Sequence, residues 1–335
     1  MKVKKYIGID GGASKILVQE ILISNKENLA FYGDYQNEVC YSDFSGWNKH
    51  FKPLPIKKQQ LCSQKKKIEL SEPEKNQGVV IIKAIKYCYD QAKRNLKGIS
   101  GVGFCFPGVK TKTKRGTLIM KNGPRIPELC NELKSRGIPI TKIFNDSESC
   151  ILGELYSGDG KLRNIGNAIY IGGGTGIADG LILNNKILDL SDQNAPLKSW
   201  ELTLNSGLSV EDCLAPGMIT KRFNRLQSNN PIFSLEEVIN YAEEGHKIAN
   251  QLLKSALDAL ELLVEERQKY IFTKTGESLL KIVIGQRLAI ALGLRNEKNI
   301  FMEKIRTTFG NNLKFSLSSD RRTAALGAAW SKSCS

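Results

Sequence analysis

The sequence predicts an α/β fold in which one domain pattern is used twice. Three features predict it: equivalent landmarks recur at similar separations, each half opens on strands joined by a glycine-rich turn, and apolar strand segments stop at Gly or Asp before helical ones. Tyr6 corresponds to Tyr170, Gly108 to Gly285 and Asp146 to Asp320, separations of 164, 177 and 174 residues. Duplication of one fold is the simplest cause.

In the first half, Tyr6 to Ile9, Lys15 to Ile23 and Leu29 to Tyr35 have the β-branched and aromatic content of strands, and Gly11-Gly12 breaks the first pair as a turn. They read as an antiparallel meander. The polar stretch from about Gln36 to Gln77 reads as an irregular insertion or lid. Val79 to Asn95 is expected to be helical. Val102 to Phe106 is a buried strand ending at Pro107-Gly108, and Ile140 to Phe144 another, ending at Asn145-Asp146. The second half repeats the order: a strand Ala168 to Ile171, the turn Gly172 to Gly176 and a strand Gly180 to Leu183. A helical region follows over roughly Leu235 to Lys269, then strands at Lys281 to Ile284 and Phe315 to Leu317, the last ending at Ser319-Asp320. Asp146 precedes Gly153, and Asp320 precedes Gly327, by the same seven residues. Each Asp is expected to cap a helix whose Gly allows close packing, and the two helices to cross at the domain interface as a hinge.

Bulk properties narrow the function. The chain has 335 residues, enough for two ordinary domains without disulfides or metals to hold them. No apolar run is long enough for a membrane span, and Met1 to Lys5 lead straight into a strand instead of a signal peptide, so a cytoplasmic protein is expected. The eight cysteines are scattered without metal-site spacing and read as reduced, structural thiols. The net charge of +15 sits in local patches, Lys57-Lys58, Lys65 to Lys67 and Lys110 to Arg115, outside any nucleic-acid module. It reads as solubility and attraction of phosphorylated ligands, with no nucleic-acid partner.

Chemistry is concentrated at the strand ends. A turn between antiparallel strands needs about one glycine. Gly11-Gly12-Ala13-Ser14 and Gly172-Gly173-Gly174-Thr175-Gly176 carry a surplus that lets backbone N–H groups cradle an anion, with Ser14 and Thr175 adding hydroxyls. Facing each other across a cleft, two such turns would clamp the β- and γ-phosphates of ATP. Asp10, at the end of the first strand, suits orienting Mg2+, directly or through water, or capping the turn. Asp146 follows a buried strand, so its carboxylate should emerge where ligands collect in α/β folds. It suits the base that takes a hydroxyl proton during phosphoryl transfer, and N-capping is compatible with that. Asp320 is the better candidate for capping alone. His50 and His246 lack surrounding motifs and read as surface residues. Trp200 suits either stacking on a sugar ring or packing at the core's rim.

Over nearly the whole chain these residues resemble the repressor, open reading frame, kinase (ROK) family of sugar kinases, in the superfamily of hexokinase, heat-shock protein and actin. Gly8 to Lys15 is similar to the family's first phosphate motif, with Ala13 where a second glycine is usual and Ser14 for threonine. Phe106-Pro107-Gly108 resembles its central turn. Asn145-Asp146 with Leu152-Gly153-Glu154 resembles its catalytic segment, Ile171 to Gly176 its second phosphate motif and Ile282 to Gly285 its adenosine segment, where Gln286 replaces a glycine. The sugar side departs: Trp200 to Leu204 keeps Glu201 but has Leu204 for the family's histidine, and Gly207 to Glu211 resembles the end of a zinc loop without its cysteines.

The resemblance implies two actin-like (ribonuclease H-like) domains, 1–152 with 318–335 and 153–317, around an ATP cleft. It implies ATP and Mg2+ on Asp10, Gly12, Ala13, Ser14, Lys15, Gly173, Gly174, Thr175, Gly176 and Gly285, with no zinc. It implies a sugar on Asn145, Glu201 and Glu211, Asp146 as the base, and a homodimer as an allowed assembly. Two other functions fit the residues: a non-catalytic sugar or nucleotide sensor, and a BadF-type ATPase that activates a partner enzyme. With the first phosphate motif reached by residue 10, no N-terminal helix-turn-helix is expected.

Overall fold

The structure is a computed structural model describing residues 3–64, 68–190, 195–227, 231–310, 313–318 and 320–335. Lys65 to Lys67 and Ser319 lie outside the described residues. The chain forms two compact units, Met1–Asp159 with Arg322–Ser335, and Gly160–Arg321.

The first unit opens on the meander β1 (Val3–Gly11), β2 (Lys15–Ser24) and β3 (Leu29–Cys40), antiparallel throughout. The stretch expected to be an irregular insertion is more ordered than its polarity suggests. β3 continues to Cys40, α1 covers Ile56–Gln64, and α2 (Glu72–Asn95) begins well before Val79. Ser71 caps α2 through the Glu74 amide, Glu72 and Glu74 occupy its first turn, and Lys93 and Arg94 its last, as the helix dipole favours. Its Ile81, Ala84, Ile85, Cys88 and Ala92 enter a core with Ile9, Val18, Phe104 and Phe106. β4 (Ile99–Phe106) runs parallel to β1, followed by the short hairpin β5 (Val109–Lys110) and β6 (Thr117–Ile119), then α3 (Leu129–Ser135).

The strand expected over Ile140 to Phe144 is reduced to β7, Phe144–Asn145, parallel to the end of β4. Ile138, Ile140 and Ile143 are buried, but the Ile140 amide donates to the Ile138 carbonyl and the Ile143 amide to the Lys114 carbonyl. The apolar run therefore packs without joining the ladder. Helix α4 (Asp146–Tyr156) starts at once, and its N-cap is Asn145, not Asp146: Asn145 Oδ1 accepts the Ser147 amide at 3.0 Å.

The second unit repeats the sheet. β8 (Ala168–Gly173), β9 (Ile177–Leu183) and β10 (Lys186–Ile187) form the antiparallel half. Helices α5 (Val210–Leu214), α6 (Pro216–Leu226), α7 (Leu235–Glu243) and α8 (Lys247–Thr275) follow. The single helical region expected from Leu235 is thus two helices, broken where Gly245 takes φ +85° and His246 caps α8. That half-buried ring lies 5.5 Å from Phe223 and 5.4 Å from Tyr241, so His246 joins a cluster, whereas His50 is exposed as expected. β11 (Lys281–Gly285), α9 (Gln286–Leu292), α10 (Ile300–Phe309) and β12 (Lys314–Leu317) complete the unit. The sheet orders, β3-β2-β1-β4-β7 and β10-β9-β8-β11-β12, are the same pattern written twice.

The last helix, α11 (Thr323–Ser333), returns to the first unit. Its N-cap is Arg322, with no side-chain cap bond, so Asp320 does not cap it. The expected glycine contact does form. A Cβ on Gly153 would lie 2.2 Å from the Thr323 carbonyl oxygen, and one on Gly327 only 1.8 Å from that of Ser149, so α4 and α11 cross backbone to backbone. Both helices belong to the first unit, and their crossing is internal to it.

Candidate functional site

In the first unit the parallel strands β1, β4 and β7 end side by side, Asp10 opposite Cys105 and Phe106 opposite Asn145. Chain polarity therefore delivers Asp10, the Phe106 to Gly108 turn, Asn145 and Asp146 to one sheet edge. Burial pushes the Asp10 carboxyl up to about 6. The nearby Asp146 charge adds to this, while a hydrogen bond from Cys105 Sγ (3.6 Å) and the Lys15 charge work against it. Burial and Asp10 in turn raise the Cys105 thiol and the Tyr41 phenol.

The first glycine turn is closed by the Gly12 amide on the Lys15 carbonyl (2.9 Å) and held from below by the Tyr41 hydroxyl on the Gly12 carbonyl (3.0 Å). The amides of Ala13 and Ser14 and the exposed Ser14 hydroxyl meet no acceptor among the described residues, which leaves three donors for an anion. Lys15 Nζ pairs with Glu38 at 3.0 Å. Asn145 Oδ1 accepts both the Ser147 amide and hydroxyl, and Asp146 Oδ1 accepts the same amide at 3.0 Å. Two neighbouring carboxylates, one of them buried and ionising reluctantly, fit a hard divalent cation that keeps most of its water and binds phosphate oxygens. Among the described residues no cluster of three or more His, Cys, Asp or Glu is arranged to hold a metal.

In the second unit, the Gly174 amide donates to the Gly176 carbonyl (2.9 Å) and the Gly217 amide to the Gly174 carbonyl (3.0 Å). The amides of Thr175 and Gly176 meet no acceptor among the described residues. Gly173 has a packing reason as well, since an added Cβ would lie 2.6 Å from Leu288. Buried Glu211 accepts the Ile177 amide at 3.2 Å and so anchors the end of this turn. Glu201 Oε2 accepts the Lys198 amide at 2.9 Å, and Lys198 Nζ lies over the Trp200 ring.

Gly285 leaves room for the Tyr170 hydroxyl, which would be 2.0 Å from a Cβ there. Next to it, Gln286 has φ +59°, a conformation glycine adopts without strain, so the backbone at this position retains the demand that its side chain violates. Gln286 also lines a cavity of about 430 Å3 with Lys161, Ala289, Ile290, Leu317 and Asp320.

Two charged residues escaped the sequence reading. Arg287 Nη2 donates to Thr175 Oγ1 at 3.1 Å, beside the second glycine turn. Lys110 Nζ donates to the carbonyls of Phe106 and Gly108, each at 2.6 Å, close to Asp146. Lys110 belongs to a basic run that composition assigns to solvent. Only its position straight after the Pro-Gly turn hinted otherwise.

Residues 56–189 match the model of the ROK family. A ROK family glucokinase from Streptomyces griseus, in complex with glucose and AMPPNP, matches 97% of this chain over 98% of its own, with TM-score 0.65 and 14% identity. The chain is thus similar to ROK proteins, in sequence over that stretch and in fold throughout. A ROK hexokinase from Thermus thermophilus matches 97% of both chains (TM-score 0.56, 18% identity). A ROK family transcriptional regulator, a homologue of the E. coli MLC protein, matches 98% of this chain over 78% of its own (TM-score 0.58, 14% identity). No curated protein matches by sequence. The two repeated sheets thus carry the α/β, actin-like fold of ROK sugar kinases, and no helix among the described residues is long and apolar enough to cross a membrane.

Proposed function

We propose that this protein belongs to the ROK family and is an ATP-dependent sugar kinase that transfers the γ-phosphoryl group to a hydroxyl of a hexose or related sugar, with Asp146 as general base. The supporting observation is the convergence of Asp10, the turn from Gly12 to Lys15, and Asp146 at the carboxyl ends of β1, β4 and β7. Asp146 stands at the first position of α4 and takes the proton of the attacking hydroxyl, while Asn145 at the cap orients the sugar. Ser14 and the Ala13 and Ser14 amides hold phosphate oxygens, and the turn from Gly173 to Gly176 serves the same purpose in its own unit. Mg2+, when bound at Asp10, supplies charge neutralisation at the phosphates. In the second unit, Gly285 and the adjoining cavity suit the adenosine, and Glu201 and Glu211 suit sugar hydroxyls.

The test is ADP production with a panel of hexoses, amino sugars and sugar acids, repeated with Asp146→Asn. The variant is expected to lose kcat by about 10²–10⁴-fold while retaining ATP binding, and near-normal turnover would remove Asp146 from the role. A second reading, a sugar-responsive sensor, is favoured by Leu204 at the place of the family's histidine and by the tie of Glu201 to its own turn. Thermal stabilisation by a sugar with no ADP release would select it.

A further inference from the structure

Lys110 lies in a run with Lys112, Lys114 and Arg115, yet its side chain turns inward. An ammonium group has three N–H donors. Two are used on the carbonyls of Phe106 and Gly108, and the third meets no acceptor among the described residues. The charged or titratable groups near it are Asp146 and Glu148 on α4, Cys105 on β4 and Lys114 in the β5–β6 loop, while Asp10 on β1 is itself a neighbour of Asp146. Burial lowers the ammonium to about 8 although both carboxylates favour its charged form. A cation kept at such a cost is poorly explained as a clamp for a turn, which a neutral donor would hold as well.

We propose that Lys110 is a catalytic cation that hydrogen-bonds the transferring phosphoryl group beside Asp146. The inference rests on the kinase reading above. In the transfer, the sugar oxygen bonds to phosphorus, the bond from phosphorus to the ADP oxygen breaks, and the hydroxyl proton goes to Asp146. Lys110 keeps its proton throughout. Negative charge on the equatorial oxygens needs donors fixed in advance. The base determines where the attacking hydroxyl must sit, so the phosphorus it attacks passes close to Asp146. An ammonium already tied to two carbonyls near that carboxylate needs no reorganisation to meet it.

Lys110→Met and Lys110→Arg, with Lys110→Ala assayed in added methylammonium, provide the test. Lys110→Met is expected to lose kcat by about 10²–10³-fold with KM for the sugar within threefold and the melting temperature not lowered. Lys110→Arg should recover part of the loss, and methylammonium should restore Lys110→Ala saturably. Turnover of Lys110→Met within threefold of wild type overturns the proposal, as does a loss that tracks a fall in melting temperature and resists rescue. Acetic anhydride labelling of the wild-type chain, read by peptide mass spectrometry, separates this proposal from the kinase reading. MgATP should slow acetylation of Lys110 selectively. If no sugar yields ADP, the kinase reading falls alone provided that protection is seen, and absence of protection overturns the role of Lys110.

Discussion

Replacing Asp10 by Asn is expected to stabilise the protein at neutral pH. Folding moves the carboxyl from about 3.8 to about 6, so the folded state keeps a proton that the unfolded chain has released. Between those values wild-type stability falls as pH rises, and above pH 6 the full penalty applies. Two pH units at about 1.4 kcal/mol each give about 3 kcal/mol, an upper value because Asp10 is not wholly shielded from water. Asn keeps an oxygen for the Cys105 thiol while losing the charge that Asp146 opposes. Urea unfolding followed by fluorescence suits the measurement, since Trp47 and Trp330 both lie in the first unit. The stability gap between variant and wild type should approach zero near pH 4 and reach its maximum by pH 8, while ADP production falls. A gap of constant size across that range, or a variant less stable than wild type at pH 8, would refute the assignment of Asp10 as a buried, repelled carboxylate.

Gly327→Ala puts a methyl group 1.8 Å from the Ser149 carbonyl oxygen, and backbone cannot rotate away as a side chain can. A loss of about 3 kcal/mol is expected in thermal unfolding. Arg267 is fully buried, with Nε 2.7 Å from Asp179 and Nη2 donating to the Leu197 carbonyl. Arg267→Met should cost about 3–5 kcal/mol by stranding the carboxylate, and adding Asp179→Leu should recover most of it in the same denaturation assay. Glu211→Ala removes the acceptor of the Ile177 amide, so isothermal titration should show weaker ATP binding to the variant, with the thermal transition within a few degrees of wild type.

The duplicated architecture was legible in the sequence because strand periodicity and glycine turns are local signals. β1, β2, β4, β8, β11 and β12 fall where alternation and β-branched content place them, and the packing of Gly153 and Gly327 followed from their shared spacing to Asp146 and Asp320. Composition misled where polar residues form helices: α1, anchored by buried Gln59 on the Met120 backbone, and the first turns of α2 lie in a stretch that reads as loop. Apolar content alone misled around Ile140 and Ile143, whose side chains are buried without strand pairing.

The sequence by itself determined which residues end the central strands, because backbone direction and turn chemistry are written in neighbouring positions. Tertiary structure decided what those residues meet. It made Asn145 the cap, pushed Asp10 toward neutrality, bent Lys110 out of a basic run onto two carbonyls, and held Gln286 in a glycine-like conformation. The Asp10 shift depends on burial and on the neighbouring Asp146 and Cys105, from segments distant in the chain, whereas the Asn145 and Lys110 contacts lie within four residues and rest on backbone angles that residue type alone does not specify.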